Sequence, residues 1–370
     1  MKIIIVGCSR VGETLAAQLG RENNDVTVID LNAEKINDIT AKYDVMGIVG
    51  NGATHTTLVE AGIDTADLLI AVTDSDELNL LCCMIAKKTG RCRVIARVTS
   101  PEYNADISYL KDELGLEMII NPQHAAAEEI ARILRFPAAI KIETFAKGKI
   151  ELITFRLAED SPLVGMKVRE IVTKLRCDVL VCTVERDDEA HIPNGEFVFE
   201  GNDTISIIST TRKAYNFFKK IEYDSRGAKD VMIVGIDEIT HYLCDLLLAA
   251  GMNLKVIEKH EDLCDELASS FSEVTVINGD EADQKILLEE GIANTDAFVA
   301  LTKHDEENMV LSLFADNFDD IKVITKINRF EYEDIIKHLK LDTTIYPNSI
   351  TSDVIVRYVR AMKNVLGSNV

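Results

Sequence analysis

The sequence predicts an α/β chain: two doubly wound parallel-sheet domains with a small α+β module between them. Three observations carry that prediction. The first thirty residues read as strand, glycine turn, helix, strand and acid. Short β-branched runs then alternate with helical stretches, which implies parallel strands joined by right-handed crossovers. Finally, the whole pattern returns after an offset of 228 residues.

The opening stretch sets the first domain. Lys2 to Val6 is a short apolar run of the kind that forms a buried parallel strand. Gly7-Cys8-Ser9-Arg10-Val11-Gly12 follows, then a helical pattern with Val11, Leu15 and Leu19 on one face. A second strand, Val26 to Ile29, ends on Asp30. This order is the one a Rossmann-like dinucleotide-binding unit requires. Gly7 allows the tight turn, Gly12 lets the helix pack closely on the strand, and the free N–H groups at the helix start face a pyrophosphate. Asp30 lies 18 positions after Gly12, near the spacing of a carboxylate that accepts from ribose hydroxyls. The fingerprint has one mismatch: Ser9 stands at the middle glycine, where its β-carbon narrows the approach to phosphate.

Further along come a polar helix (Asn32 to Lys42), a strand at Val45–Val49, and the loop Gly50-Asn51-Gly52-Ala53-Thr54 opening a short helix. Leu68–Val72 is the fourth strand, closed by Thr73-Asp74; a helix from Asp76 to Lys88 leads to the fifth, Arg93–Arg97. Ser100 to Tyr103 caps the next helix and Met118–Ile120 is the sixth strand. In doubly wound sheets ligands bind at the carboxyl ends of the strands. Gly7, Asp30, Gly52, Thr73 and Arg97 all fall there. Asn121-Pro122 launches an apolar helix, Ala125 to Leu134, stopped by Pro137, which serves either as core or as a crossover onto a partner domain.

From Ile140 the pattern changes. Lys149–Phe155, Asp178–Val184, Glu196–Phe199 and Thr204–Ile208 read as strands, with a helix at Met166–Leu175 and a closing helix at Thr211–Lys220. Tyr223 to Ala228 reads as a linker. The first pattern then returns: Gly235 answers Gly7 and Glu258 answers Asp30, while Thr240 replaces Gly12. Asn278-Gly279 echoes Asn51-Gly52, Asp305 to Asn308 echoes Asp76 to Asn79, and Tyr346-Pro347 echoes Asn121-Pro122, ahead of a last helix at Ser349–Val365. The chain is therefore a duplication of a whole domain. The expected units are 1–136, 137–222 and 229–370.

Composition bounds the function. In 370 residues, 62 acidic against 40 basic side chains give a formal net charge of −22, which argues against nucleic acid and anionic lipid surfaces. No apolar run is long enough to span a bilayer, and the start does not read as a signal peptide. The eight cysteines contain no C-x-x-C pair, so they read as small buried hydrophobes in a reducing cytosol. The seven histidines lack ligand spacing, and no metal site is expected.

Several segments together resemble a known family. Ala71 to Asn79, Ala96 to Tyr103 and Ser161 to Gly165 are similar to the RCK (or KTN) domains, over essentially the whole chain. The resemblance implies a cytosolic regulatory subunit of a membrane potassium transporter of Trk type, held at the inner face of the membrane in a ring of RCK domains. It implies NAD(H) as ligand, or an adenine nucleotide (ATP or ADP), with contacts at Gly7, Cys8, Ser9, Arg10, Val11, Asp30, Thr73, Asp74 and Arg97. It also implies homo-oligomerisation, as dimer or tetramer, through crossover helices. The usual last C-domain is missing, which implies a short form or a truncation.

Asp30 suits a free ribose and would repel a 2′-phosphate. Arg97 reads as a phosphate partner or a surface salt bridge, and Arg10 as a pyrophosphate contact or a solvated side chain. Two other functions compete. A nicotinamide-dependent oxidoreductase needs an acid or base beside the cofactor; the available pair, Tyr215 with Lys219, lies outside the Rossmann-like copies. A stand-alone nucleotide sensor needs no transporter at all.

Overall fold

The structure, a computed structural model, describes residues 1–100, 103, 107–135, 139–145, 150–186, 189–221, 227–318, 321–329, 332–339, 341 and 343–367. The first lobe runs β1 (Lys2–Val6), α1 (Arg10–Arg21), β2 (Asp25–Asp30), α2 (Ala33–Lys42), β3 (Met46–Val49), α3 (His55–Glu60), β4 (Leu68–Ala71), α4 (Asp76–Thr89), β5 (Arg93–Arg97), α5 (Ile107–Glu113), β6 (Met118–Ile120) and α6 (Pro122–Arg135). Its six strands are parallel and lie in the order β3-β2-β1-β4-β5-β6. The order reverses between β1 and β4, which opens a crevice at their carboxyl ends. Ile3 to Val6 and Leu68 to Ala71 are buried on both faces, as helices covering both sides of the sheet require.

The middle module consists of β7 (Ala139–Phe145), β8 (Ile150–Arg156), α7 (Val168–Thr173), β9 (Leu180–Arg186), β10 (Glu189–His191), β11 (Thr204–Ser209) and α8 (Thr211–Lys220). Its antiparallel order is β10-β9-β11-β8-β7, over a core that includes Ile153, Phe155, Phe199 and Phe217. Two strands, β7 and β10, escaped the sequence reading, and one expected strand is absent. Glu196–Phe199 makes a single bridge, Lys167 to Val198, because its backbone pairs with the loop before α7 (Phe199 N–H to Met166 O, 3.0 Å; Val168 N–H to Phe197 O, 3.0 Å). Burial of Phe199, with Phe197 packed against the same core, produced the strand-like alternation. Most of the expected linker lies outside the described residues, as do Pro137 and part of the Ser100–Tyr103 cap.

The second lobe repeats the first: β12 (Asp230–Val234), α9 (Glu238–Ala249), β13 (Asn253–Glu258), α10 (Glu261–Ser270), β14 (Thr275–Asn278), α11 (Gln284–Glu289), β15 (Ala297–Ala300), α12 (Asp305–Ala315), β16 (Lys322–Lys326), α13 (Glu333–Leu339), β17 (Thr343–Ile345) and α14 (Pro347–Gly367). The strand order β14-β13-β12-β15-β16-β17 is that of the first sheet. The duplication has one register correction. Asp30 pairs with Val49 and Glu258 with Asn278, so Gly279 answers Gly50 and Glu281 answers Gly52.

The terminal helices of the two lobes are exchanged. Ala126, Ala127, Ile130, Ala131 and Leu134 of α6 are buried among α9 residues such as Tyr242, Leu243 and Leu247. Reciprocally, Ile355, Val356 and Val359 of α14 join Val11, Leu15 and Leu19 of α1. Polar ties reinforce the second contact: Arg93 Nη1 donates to Tyr358 Oη at 2.9 Å, and Lys363 Nζ to Glu22 O at 2.7 Å. Within this chain the crossover helices pack on the opposite lobe, α6 on α9 and α14 on α1. Among the described residues no helix is long and apolar enough to cross a membrane.

Candidate functional site

The crevice at the switch point is built around Gly7, which has φ +106° and hydrogen-bonds its N–H to Ile29 O at 2.8 Å. A β-carbon there would fall 2.8 Å from Thr73 N, and one on Gly12 would fall 2.0 Å from Gly7 O. Both glycines are therefore steric requirements of a helix start pressed against β1 and β4. Gly52 is equally tight, with a β-carbon only 2.2 Å from Val6 Cγ1.

Ser9 takes a role that the fingerprint does not describe. It is the N-cap of α1: its hydroxyl donates to Val72 O at 2.7 Å and accepts from Gly12 N–H at 3.4 Å. The side chain turns inward, and the first-turn N–H groups of Arg10 and Val11 remain without an intrahelical acceptor, as at any helix start. They point a positive partial charge into the crevice.

Asp30 closes the other end. Its Oδ2 accepts from Cys8 N–H at 2.6 Å and its Oδ1 from Asn32 N–H at 2.8 Å, which fixes the carboxylate and leaves lone pairs for further donors. Burial, with the Asp30 carboxylate beside it, pushes the Cys8 thiol up to about 12, so Cys8 is a neutral lining group and not a nucleophile. Beside Asp30, Leu31 is 69% exposed and Val49 at the end of β3 is 54% exposed. Leu31 follows Asp30 in the chain and Val49 lies opposite it in the neighbouring strand, so two exposed apolar side chains stand beside the carboxylate. Sequence reasoning passed over them; their signal was a large apolar residue directly after β2 and another closing β3.

Thr73 and Arg97 stand on the opposite wall. The Arg97 guanidinium lies 3.6 Å from Asp74 and 3.5 Å from Thr73 O, and its Nε is buried with no partner among the described residues. Asp74 is on the surface, with its side chain 87% exposed, so the pair is weak and the cation is available to an anion in the crevice. Two buried polar residues hold this wall. Asn79 accepts from Thr73 N–H (2.8 Å) and hydroxyl (2.7 Å) and donates to Thr73 O (3.1 Å) and Arg97 O (3.0 Å). Asp76 accepts from the N–H groups of Thr99 and Ser100, both at 2.8 Å. The signal for both was their reappearance as Asp305 and Asn308, which make the same contacts in the second lobe.

The predicted residues Gly7, Cys8, Ser9, Arg10, Val11, Gly12, Asp30, Gly52, Thr73, Asp74 and Arg97 thus gather at the carboxyl edge of one sheet. The wall is also tied to the other lobe. Tyr242 on α9 donates to Thr99 O at 3.0 Å and accepts from Asn121 Nδ2 at 3.0 Å. On the Arg10 side, a cavity of about 670 Å³ lies between the lobes, lined by Arg10, Arg21 and Lys42 from the first and Asn328, Arg329 and Asn348 from the second.

The duplicate crevice keeps the frame and changes the contents. Gly235 has φ +90° and Ile236 N–H donates to Glu258 Oε2 at 2.8 Å. Asp237 replaces Ser9 as N-cap, accepting from Ile239 and Thr240 N–H at 2.9 and 3.2 Å, and it pairs with Lys326, the counterpart of Arg97. Glu258 is 4% exposed, and its Oε1 accepts from His260 N–H at 3.0 Å and meets the His260 ring at 2.5 Å. Burial alone would raise this carboxyl, but the donors from His260 and Ile236 outweigh it and hold it below the usual range.

Fold and geometry define a duplicated Rossmann-type chain whose first copy fits a dinucleotide or adenine nucleotide: a glycine cradle, open helix-start donors, a fixed acid and a half-free arginine. The TrkA-N domain family matches residues 3–122 and again 231–347, and the TrkA-C domain family matches residues 152–221. The chain belongs to the TrkA family of Trk-system potassium uptake proteins. A Trk system potassium uptake protein TrkA homolog of Archaeoglobus fulgidus is 32% identical over 364 residues, covering 98% of this chain and 82% of the relative. Among solved structures, the GsuK channel bound to NAD superimposes with a TM-score of 0.74 at 16% identity, over 100% of this chain and 65% of that one. GsuK bound to ADP gives a TM-score of 0.60 at 13% identity, over 96% of this chain and 68% of that one. These two likenesses concern the fold.

Proposed function

We propose that this chain is a non-catalytic regulatory subunit of a potassium uptake system, which binds NAD(H) or an adenine nucleotide in its first lobe and passes the occupancy to a membrane transporter subunit. The observation that carries the reading is the wall of the crevice: Arg97 faces the ligand position while Thr99, two residues on, is gripped by Tyr242 of the other lobe. Arg10 and Val11 N–H would hold the pyrophosphate, Asp30 a ribose diol, and Leu31 with Val49 the base. A ligand shifts such a pair of lobes only through contacts that differ between two arrangements. A coupling of about 1–3 kcal/mol through this wall suffices to alter gating. Association with the inner face of the membrane would come from the transporter partner, and a ring would form by homo-oligomerisation through surfaces other than α6 and α14.

Calorimetry tests the binding step. Asp30→Ala should weaken NADH by roughly 10- to 100-fold, the loss of charge-assisted hydrogen bonds worth about 1.5–3 kcal/mol. NADPH should bind the parent more weakly than NADH, since Asp30 opposes a 2′-phosphate. Equal affinities for parent and Asp30→Ala would remove the first-lobe site. The oxidoreductase reading has its residue pair on α8, in the middle module, with Tyr215 47% exposed. Steady NADH oxidation with a small carbonyl substrate, abolished by Tyr215→Phe, would restore it.

A further inference from the structure

At three positions of the second crevice, Asp237, His260 and Glu281, a protein group stands where the first copy has Ser9, Asn32 and Gly52. We infer that the second lobe is a nucleotide site closed by the chain's own side chains, so each chain carries one open site. Asp237 sets a carboxylate on the first-turn N–H of Ile239, the counterpart of the Val11 donor, and on that of Thr240, the counterpart of the Gly12 N–H that Ser9 caps. Its second oxygen pairs with Lys326, which is 4% exposed and also donates to Leu301 O at 3.2 Å. A buried ammonium cannot be left unpaired cheaply, so the carboxylate is held in the crevice from both sides.

The ribose end is filled as well. Among the described residues Asp30 Oδ1 accepts from the Asn32 N–H, whereas Glu258 Oε1 meets both the N–H and the ring of His260, which stands at Asn32's position. In place of Gly52 comes Glu281, 2% exposed, 3.2 Å from Lys259, and with Oε2 unpartnered among the described residues. An incoming diphosphate would meet Asp237 and Glu281, and Lys326, the counterpart of Arg97, is already matched by Asp237. In effect the lobe carries its own anion.

The inference rests on the first-lobe reading for the choice of probe and for the one ligand that the parent binds, and the closure of the second lobe is tested separately from it. Calorimetry of the full chain with NADH, and separately with ADP, counts ligands per chain. The parent should bind one. Gly12→Val should abolish that one, and the triple variant Asp237→Ser, His260→Asn, Glu281→Gly, which installs the first copy's residues, should add a second. Asp237→Asn, which keeps a cap acceptor and removes the charge, serves if the triple variant melts early; it should bind ADP in the second lobe at least tenfold more tightly than the parent does. A parent count of two overturns the inference without any variant. So does an unchanged count in a triple variant that melts like the parent. A gain over the parent supports the closed site even where the parent binds nothing, whereas the Gly12→Val result bears on the first crevice alone.

Discussion

Asp30 and Glu258 occupy the same strand end in the two lobes, and each accepts the N–H of the residue after the glycine turn. They differ in what covers the remaining oxygen. Asp30 keeps lone pairs toward solvent, while Glu258 is sealed by His260. The carboxylate of Glu258 is thereby structural. Its lowered pKa means that it contributes stability above the unfolded carboxyl range, and that the contribution is lost as pH falls through the folded value. Glu258→Gln should therefore lower stability by about 1–3 kcal/mol at pH 7, because the amide sets an N–H against existing donors. Thermal melts at pH 7 and below pH 4 check this, and the gap between parent and variant should close in acid. A constant gap would mean that the charge plays no part.

The helices show what the sequence made legible. Apolar runs and glycine position located every strand of the first parallel sheet, because strands buried on both faces leave an unbroken apolar signature, and the repeat carried the same order to the second. The candidate site residues lie together because a Rossmann-type crevice forms where those strands end. The middle module was harder. Glu196–Phe199 mimics a strand through Phe199 and Phe197, while β10, three residues long, is too short to show a period. The destination of α6 was not legible either. Its alanines announce a close contact without naming the partner, and the answer depends on how the two lobes meet. Ala126, Ala127 and Ala131 are fully buried against the neighbouring lobe. Ala127→Leu should overpack that seam and cost about 1–3 kcal/mol, read as a lower melting temperature of the full chain. Tyr242→Phe should leave the fold intact while loosening Thr99 and Asn121, and should weaken any coupling between nucleotide occupancy and the second lobe, read by hydrogen exchange in α9.

The whole chain is a pseudo-symmetric pair of lobes that exchange their last helices, with the antiparallel module spliced between them. Removing α14 by ending the chain at residue 346 should bare the face of Val11, Leu15 and Leu19. An exposed patch of this kind drives association, so light scattering should find a shortened chain self-associated and less soluble. The intact chain, whose exchanged helices are already seated, should form any ring through other faces, and Ala127→Leu should leave its oligomeric mass unchanged.

Exchange of α6 and α14 within one polypeptide has a further consequence. Two separate Rossmann domains would meet at a concentration set by the cell; here covalent linkage makes their meeting intramolecular, and each lobe always faces an unlike mate. A pair of identical subunits would show empty, half-filled and full states in proportions that drift with ligand. A pair with one closed member has only two states, and the intermediate is eliminated by covalent bookkeeping. Half-of-the-sites occupancy is thus written into the gene, and a ring of such chains would count its ligands in steps of one per chain.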